Sequence, residues 1–574
     1  MPIILQKITA YLQRLLRLSE IHLMLIAAGV VGVVGALSTI AFRDSLALMQ
    51  HLLVGQSGSL VAMARNLPWE MRILLPTAGG IVAGIFLVLA KRYTSGVTSD
   101  YMEAVAVGDG NISVRQTMLR SLSSLSSIVS GGSIGREGAM VQLAAMCASA
   151  IGRGARFGPS RLRLLVACGA AAGLASAYNA PIAGAFFVTE IVLGSIAMNS
   201  FGPVLVAAVV ANITMREFPG YQPVFQMPAF QAIANSEIIL FIGLGILAGI
   251  IAPQYLRLLD FSKRMFQKTG LPLPVRLGIG GLLVGLISVW VPQVWGNGYS
   301  VVNSLLHDQW LWSAVLMMLV FKLVATALTT GSGAVGGVFT PTLFMGAAMG
   351  CLFGQTMHLL WPQAVSMPFA YAIVGMGAFL AAATSAPLMA ILMIFEMTLS
   401  YQVMLPLMLS CVVAYFIARS IDSTSMYAII VKRNREEAER LRLRQTQMSE
   451  LIRPADTVLP LNATLAEMTQ TFIKYSVKYI YIVDNGHRLQ GVVALQDLTS
   501  VLVKQGGEDE RTAEDFLRRD FLPVITPEMS LSEALQVFLT HQGERLPIVQ
   551  DLHQPVLLGA IYKTSLLEAY YRLS

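Results

Sequence analysis

Long apolar runs separated by short polar breaks fill the chain from Ile21 to about Arg419. Residues 21–42 and 71–90 are nearly free of charge, and each run is about the 20 residues a helix needs to cross a bilayer. Backbone groups in hydrocarbon must pair inside their own segment, so these runs predict helices and not strands. The runs are unequal. Residues 238–252 and 311–328 are continuous, while others are cut by Gly and Pro. Interrupted helices at membrane depth are tolerated where they line a cavity enclosed by protein, which argues for a transport fold over a simple receptor bundle. The fold class read from this pattern is an α-helical polytopic membrane protein.

An internal repeat organises the apolar region. Residues 169–190 read GAAAGLASAYNAPIAGAFFVTE and residues 375–396 read GMGAFLAAATSAPLMAILMIFE. Aligned without a gap, Gly169 meets Gly375, Ala180-Pro181 meets Ala386-Pro387, and Glu190 meets Glu396. A glycine-rich segment precedes each unit, GGSIGREGA at 131–139 and GSGAVGGVFTP at 331–341. Paired interrupted segments in corresponding places point to a binding site near the midplane. The domains predicted are an amphipathic helix at 1–20, membrane repeats at 21–230 and 231–431, a charged linker at 432–450, and a soluble pair of α/β units at 451–574. Each soluble unit, 451–503 and 521–571, reads strand, helix, strand, strand, helix.

Composition agrees with the pattern. The chain is 55% hydrophobic and 13% charged, against about 25% charged in ordinary soluble domains. The net charge of +7 does not mark a nucleic-acid partner. Its basic residues flank apolar spans (Lys91 and Arg92, Arg161 and Arg163) or crowd the tail (Lys432, Arg433, Arg435, Arg440, Arg442 and Arg444). By the positive-inside rule these are cytoplasmic junctions, which puts the tail inside the cell. The first apolar run is too long for a signal-peptide core and is expected to be a retained span. Cys147, Cys168, Cys351 and Cys411 lie in apolar segments without ligand spacing and read as small buried residues. The seven histidines form no metal-ligand spacing either. Lys322, alone in an apolar span, is expected to snorkel to the interface, with facing a cavity as the alternative.

The glycine-rich segments carry the candidate chemistry. A loop that opens a helix leaves backbone N–H groups unpaired, with the positive end of the helix dipole behind them. Such ends bind anions without placing a full positive charge in lipid. The candidates are the segments around Gly135 and Gly337, with the N–H groups of Val338 and Phe339 foremost. The alternative is that the glycines only let helices pack closely. Glu137 is a carboxylate inside an apolar, glycine-flanked segment, a placement that is costly and by default functional. It can compete with an anion for the same helix end, and protonation would release it. A pair with Arg136 is the other reading.

GGSIGREGA, GGVFTP at 336–341 and YNAPIAGAFF at 178–187 resemble the three signature regions of the CLC chloride channels and exchangers, and GREGA with AAAGLASAYNAP resembles the bacterial ClcB-type branch. The tail resembles a pair of CBS domains. The resemblance implies the CLC-type inverted-repeat fold, a homodimer with one pore per subunit, and a place in the bacterial inner membrane. It implies that Glu137 is the external gate and that Val338 and Phe339 donate backbone hydrogen bonds to the central anion. Gly135, Arg136, Gly138 and Gly337 of the same loops are expected to bind the anion with them, and Tyr427, in SMYAIIVKR, matches the inner-gate tyrosine whose hydroxyl contacts that anion. Ser95, in SGVTS, matches the central serine of the family's GSGIP motif, although Thr94 and Thr98 replace its glycine and proline. A shift of one residue would put Gly96 there instead.

One departure bears on mechanism. The family's proton-coupled exchangers carry an inner glutamate after the position of Glu190; here that residue is Ile191. An isoleucine takes up no proton, so the reading is channel-like conduction of chloride, voltage-gated in the family manner. A chloride/proton antiporter, a fluoride-selective relative and an organic-solute secondary transporter remain the alternatives. No cofactor is required. CBS pairs often bind adenine nucleotides, but of the four polar groups expected only Asp497 is present (Ala494, Tyr562 and Ser565 stand at the others), so a structural or dimer-contact role is at least as good. No nucleophile–base pair appears in the spans, which disfavours an enzyme. The partners expected are chloride, protons in the coupled mode, lipid and a second copy of the chain.

Overall fold

The computed structural model describes residues 20–55, 58–93, 100–106, 108–194, 196–218, 225, 228, 233, 237–362, 365–422, 425–427, 451–505, 510–519, 523–541, 543–553 and 555–573. The amphipathic segment expected at the N-terminus, the linker at 432–450 and Ser95 lie outside the described residues. Chain contacts divide the molecule into two compact units, Met1–Val431 and Lys432–Ser574.

The regular elements described in the first unit are all helices. Eight of its helices are long and apolar enough to cross a membrane, among them Ile21–Val54, Trp69–Arg92, Ile238–Lys268 and Phe339–Leu360. Shorter apolar helices lie between them at Pro181–Leu193, Pro368–Thr384 and Pro387–Thr398. The two halves of the repeat are built alike. Helix Glu137–Gly154 packs on Pro159–Tyr178, and Phe339–Leu360 packs on Pro368–Thr384. Small residues allow both approaches: a β-carbon on Gly169 would lie 2.8 Å from the Ala144 carbonyl oxygen, and one on Gly375 2.5 Å from that of Gly346. Close backbone contact of this kind is how helices associate where no hydrophobic force separates protein from lipid.

The same stop and restart follows in each half. Asn179 and Ser385 end their helices in the left-handed region, at φ 54° and 58°. Ala180 and Ala386 come next at φ −128°, ψ 79° and φ −134°, ψ 80°. A residue before proline is pushed out of the helical region, and proline then opens the next helix, where its missing N–H costs nothing. The breaks foreseen from the repeated Ala-Pro are therefore stereochemical. Each restarted helix is capped from the opposite half. Glu396 accepts from the N–H groups of Ile182 and Ala183 at 3.0 and 2.7 Å, and Glu190 accepts from Leu388 and Met389 at 3.3 and 2.8 Å.

The second unit contains both α/β repeats. In the first, strands Val458–Pro460, Tyr479–Val483 and Leu489–Ala494 form one sheet with the middle strand central. Val458 pairs in parallel with Tyr481, and Tyr479 pairs antiparallel with Ala494. Helix Leu465–Tyr475 opens with a capping box, Thr464 and Glu467, as the TLAE pattern dictates. The second repeat pairs Arg545–Val549 antiparallel with Leu557–Tyr562. Among the described residues its first strand shows one parallel bridge, Ile525 to Ile548.

Candidate functional site

Two broken helices meet end to end inside the first unit. Arg136 is the N-cap of helix Glu137–Gly154 and Val338 the N-cap of Phe339–Leu360, and neither cap has a side-chain hydrogen bond. The loops before them pair with one another. Gly135 N–H donates to the Gly337 carbonyl at 2.7 Å, and Gly337 N–H donates to Gly135 at 2.8 Å. This two-bond bridge locks the helix ends together. It also removes the amides of Gly135 and Gly337 from the anion donors expected from sequence, because each already has an acceptor. The first-turn amides beyond the bridge, Glu137 and Gly138 on one helix and Phe339 and Thr340 on the other, are the groups whose carbonyl partners a helix lacks.

Glu137 lies across this junction and is 3% exposed. One carboxylate oxygen accepts a hydrogen bond from the Thr340 hydroxyl; the other is buried without a hydrogen-bond partner. Space for it exists only because its neighbours are glycines. A β-carbon on Gly135 would come within 1.9 Å of that second oxygen, and one on Gly337 within 3.0 Å. No ion pair joins Glu137 to Arg136, so the pairing considered as an alternative does not form. Thr340 is itself held: the Tyr178 hydroxyl lies 3.1 Å from its Oγ1 and the Tyr299 hydroxyl 3.5 Å. Thr340 has one hydroxyl hydrogen and gives it to the carboxylate, so Tyr178 donates to Thr340.

Next to this junction, a cavity of about 270 Å³ is lined by Glu137, Gly138, Val338, Phe339, Phe187 and Tyr427, and also reaches Asp100, Tyr101, Arg120 and Gln142. It gathers residues from widely separated parts of the chain. Tyr427 packs edge-on against Phe187 at 5.6 Å, and its segment is tied to the end of helix Pro368–Thr384 by Met426 N–H to Ala383 O at 2.8 Å and Ser425 Oγ to Thr384 O at 3.0 Å. The Tyr178 ring lies 5.0 Å from Phe339. Ile191 is fully buried. Such a site offers an anion backbone dipoles, a hydroxyl and aromatic edges, with one carboxylate lying over the helix ends.

Tyr178, Thr340 and Tyr299 received no role from the sequence. Tyr178 and Thr340 stand inside the quoted motifs, and their spacing from Glu137 along the chain gives no hint of contact. Lys322 also departs from expectation. It does not snorkel: it is 1% exposed and bonded to two backbone carbonyls. In the tail, Asp497 sits in a two-pronged ion pair with Arg518, at 2.8 and 2.5 Å.

The sequence model of the family described as "Voltage gated chloride channel" matches residues 78–419. This chain belongs to the CLC family. The CBS domain model matches residues 448–504 and 513–572, so a CBS pair follows the CLC region. A "Putative chloride channel protein ClcB-like" of Ralstonia nicotianae is 55% identical over 73% of this chain and 99% of its own length. The "Voltage-gated ClC-type chloride channel ClcB" of Escherichia coli K12 is 40% identical over 71% of this chain and 98% of its own. These relatives agree with the ClcB-type branch. Among solved structures, that of a slow cyanobacterial Cl⁻/H⁺ antiporter is 26% identical, with a TM-score of 0.63 over 73% of this chain and 98% of the other. The CLC assignment makes this chain a multi-pass membrane protein of a family of chloride channels and transporters.

Proposed function

We propose that this protein passes chloride selectively across the bacterial inner membrane, through one pore in each subunit of a homodimer, with Glu137 as the outer gate and Tyr427 at the inner one. The observation that carries the reading is the junction of two helix N-termini with Glu137 lying over it and Val338, Phe339 and Tyr427 on the cavity beneath. Amides of Gly138, Phe339 and Thr340 serve as donors to the anion, and Ser95 is assigned an anion-binding role from its motif alone. Protonation of Glu137 weakens its hold on the positive helix ends and lets the carboxyl swing aside.

The mode proposed is channel-like conduction, since buried Ile191 cannot relay a proton from the inside. The second reading, chloride/proton antiport, is favoured by a different observation: Tyr178, Thr340 and Glu137 form a continuous hydroxyl-to-carboxylate chain. The tail is assigned to the cytoplasm because basic residues crowd its start. Its Asp497 is engaged by Arg518, which supports a structural role over adenine-nucleotide binding.

Chloride-loaded liposomes containing the purified protein test both levels. Chloride efflux is expected once a potassium ionophore is added, with acid pH accelerating the wild type and Glu137→Ala abolishing that acceleration. Protein-dependent uptake of organic solutes without chloride efflux would end the reading. Under crossed chloride and pH gradients, a reversal potential insensitive to the pH gradient is expected; a shift with pH selects the antiporter.

A further inference from the structure

Among the described residues, Lys322 is the one buried ammonium for which the gate mechanism has no use. It projects from helix Trp312–Ser332 and is 1% exposed. Among the described residues no carboxylate pairs with it. A lone cation away from water is costly enough that it is retained only with a function or a full set of partners. Its partners are all neutral. Nζ donates to the carbonyls of Val294 and Gly296 at 2.9 and 2.6 Å and lies 5.8 Å from the centre of the Phe344 ring, a distance at which a ring face attracts a cation.

Those carbonyls belong to a tight turn at the outer gate. It begins with the short 3₁₀ segment Pro292–Val294 and continues through Gly296 and Gly298, at φ +66° and +96°, values that glycine adopts readily. No backbone N–H of the described residues donates to the Val294 or Gly296 carbonyl, so the ammonium satisfies acceptors that would otherwise be orphaned. The turn then reaches the gate by three side chains. Trp295 packs its ring against Gly131, where a β-carbon would lie 2.5 Å from it. Asn297 faces the Glu137 carboxyl and accepts from Tyr299 N–H at 3.4 Å. Tyr299 places its hydroxyl near Thr340, the donor to Glu137.

We infer that Lys322 is the positioning residue of the outer gate, its ammonium clamping the 294–299 turn so that Asn297 and Tyr299 face Glu137. The inference rests on Glu137 being the gate. Lys322 touches neither the anion nor the carboxylate; it acts through the turn. Without the clamp the turn relaxes, Thr340 and Glu137 lose their outer support, and the gate releases with less acid.

A four-protein cycle tests this in liposomes: wild type, Lys322→Met, Glu137→Ala and the double variant, with chloride efflux measured from acid to alkaline pH. The other titratable groups facing Glu137, which are Arg136, Tyr178, Tyr299 and Tyr427, are unchanged in all four. Lys322→Met is expected to raise efflux several-fold at neutral pH and move its acid activation toward higher pH. In the Glu137→Ala background the same substitution is expected to change nothing. An equal change in both backgrounds, or an unmoved pH profile, overturns the inference and marks Lys322 as structural only. If Lys322→Met does not yield a monodisperse protein, Lys322→Gln, which keeps a donor, enters the same cycle with the same expectation in weaker form. Glu137→Ala indistinguishable from wild type would instead remove the gate reading itself.

Discussion

Thr340 decides how firmly the proposed gate is held. Its hydroxyl donates a hydrogen bond to the Glu137 carboxylate, and a hydrogen bond to a charged group is worth about 1.5–3 kcal/mol. Removing it disfavours the charged form in place and leaves a second carboxylate oxygen without a partner beside the one already orphaned. Thr340→Val, close in shape, is therefore expected to shift the acid activation of chloride efflux toward higher pH, with several-fold faster efflux at neutral pH. Thr340→Ser restores the donor and is expected to return the wild-type profile. Identical pH profiles for the valine and serine variants would mean that the hydroxyl does not hold the gate.

At the scale of elements, the reciprocal caps of Glu190 and Glu396 join the halves of the repeat. Each carboxylate satisfies two N–H groups of a helix that starts in the other half, groups that no residue within that helix can satisfy. The internal repeat paired the two glutamates; it could not reveal that each serves its partner's helix. Glu190→Gln and Glu396→Gln each remove the charge and weaken the cap by about 1.5–3 kcal/mol. Both are expected to lower the thermal midpoint of the detergent-solubilised protein by a few degrees, and by similar amounts, with anion efflux per folded molecule retained. A fall for one variant and none for the other would contradict the reciprocal arrangement.

For the whole molecule, the membrane region and the CBS pair form separate compact units, and relatives at 55% and 40% identity match over nearly their whole lengths with about three quarters of this chain. Conduction in the proposed mechanism uses residues of the first unit alone. A chain ending at Val431 is expected to pass chloride with the acid activation of the full protein, and adenosine triphosphate titrated into the full protein by calorimetry is expected to give no heat of binding. Loss of efflux on truncation, with the shortened protein still monodisperse, would assign the tail a part in conduction. Binding of the nucleotide would return Asp497 to the role its motif suggested.

The order of the helices, their breaks at Ala180-Pro181 and Ala386-Pro387, the internal repeat and the candidacy of Glu137 were all determined locally: apolar length, proline stereochemistry and a carboxylate among glycines are properties of neighbouring residues. Other features required distant segments to meet. Only the folded chain decided that Gly135 and Gly337 bond to each other rather than to an anion, that Thr340 and Tyr178 hold Glu137, and that Lys322 turns inward to a loop 26 residues away instead of outward to the lipid surface. A one-dimensional pattern specifies which groups lack partners within their own segment. Which distant group supplies the partner is set by how the two halves pack.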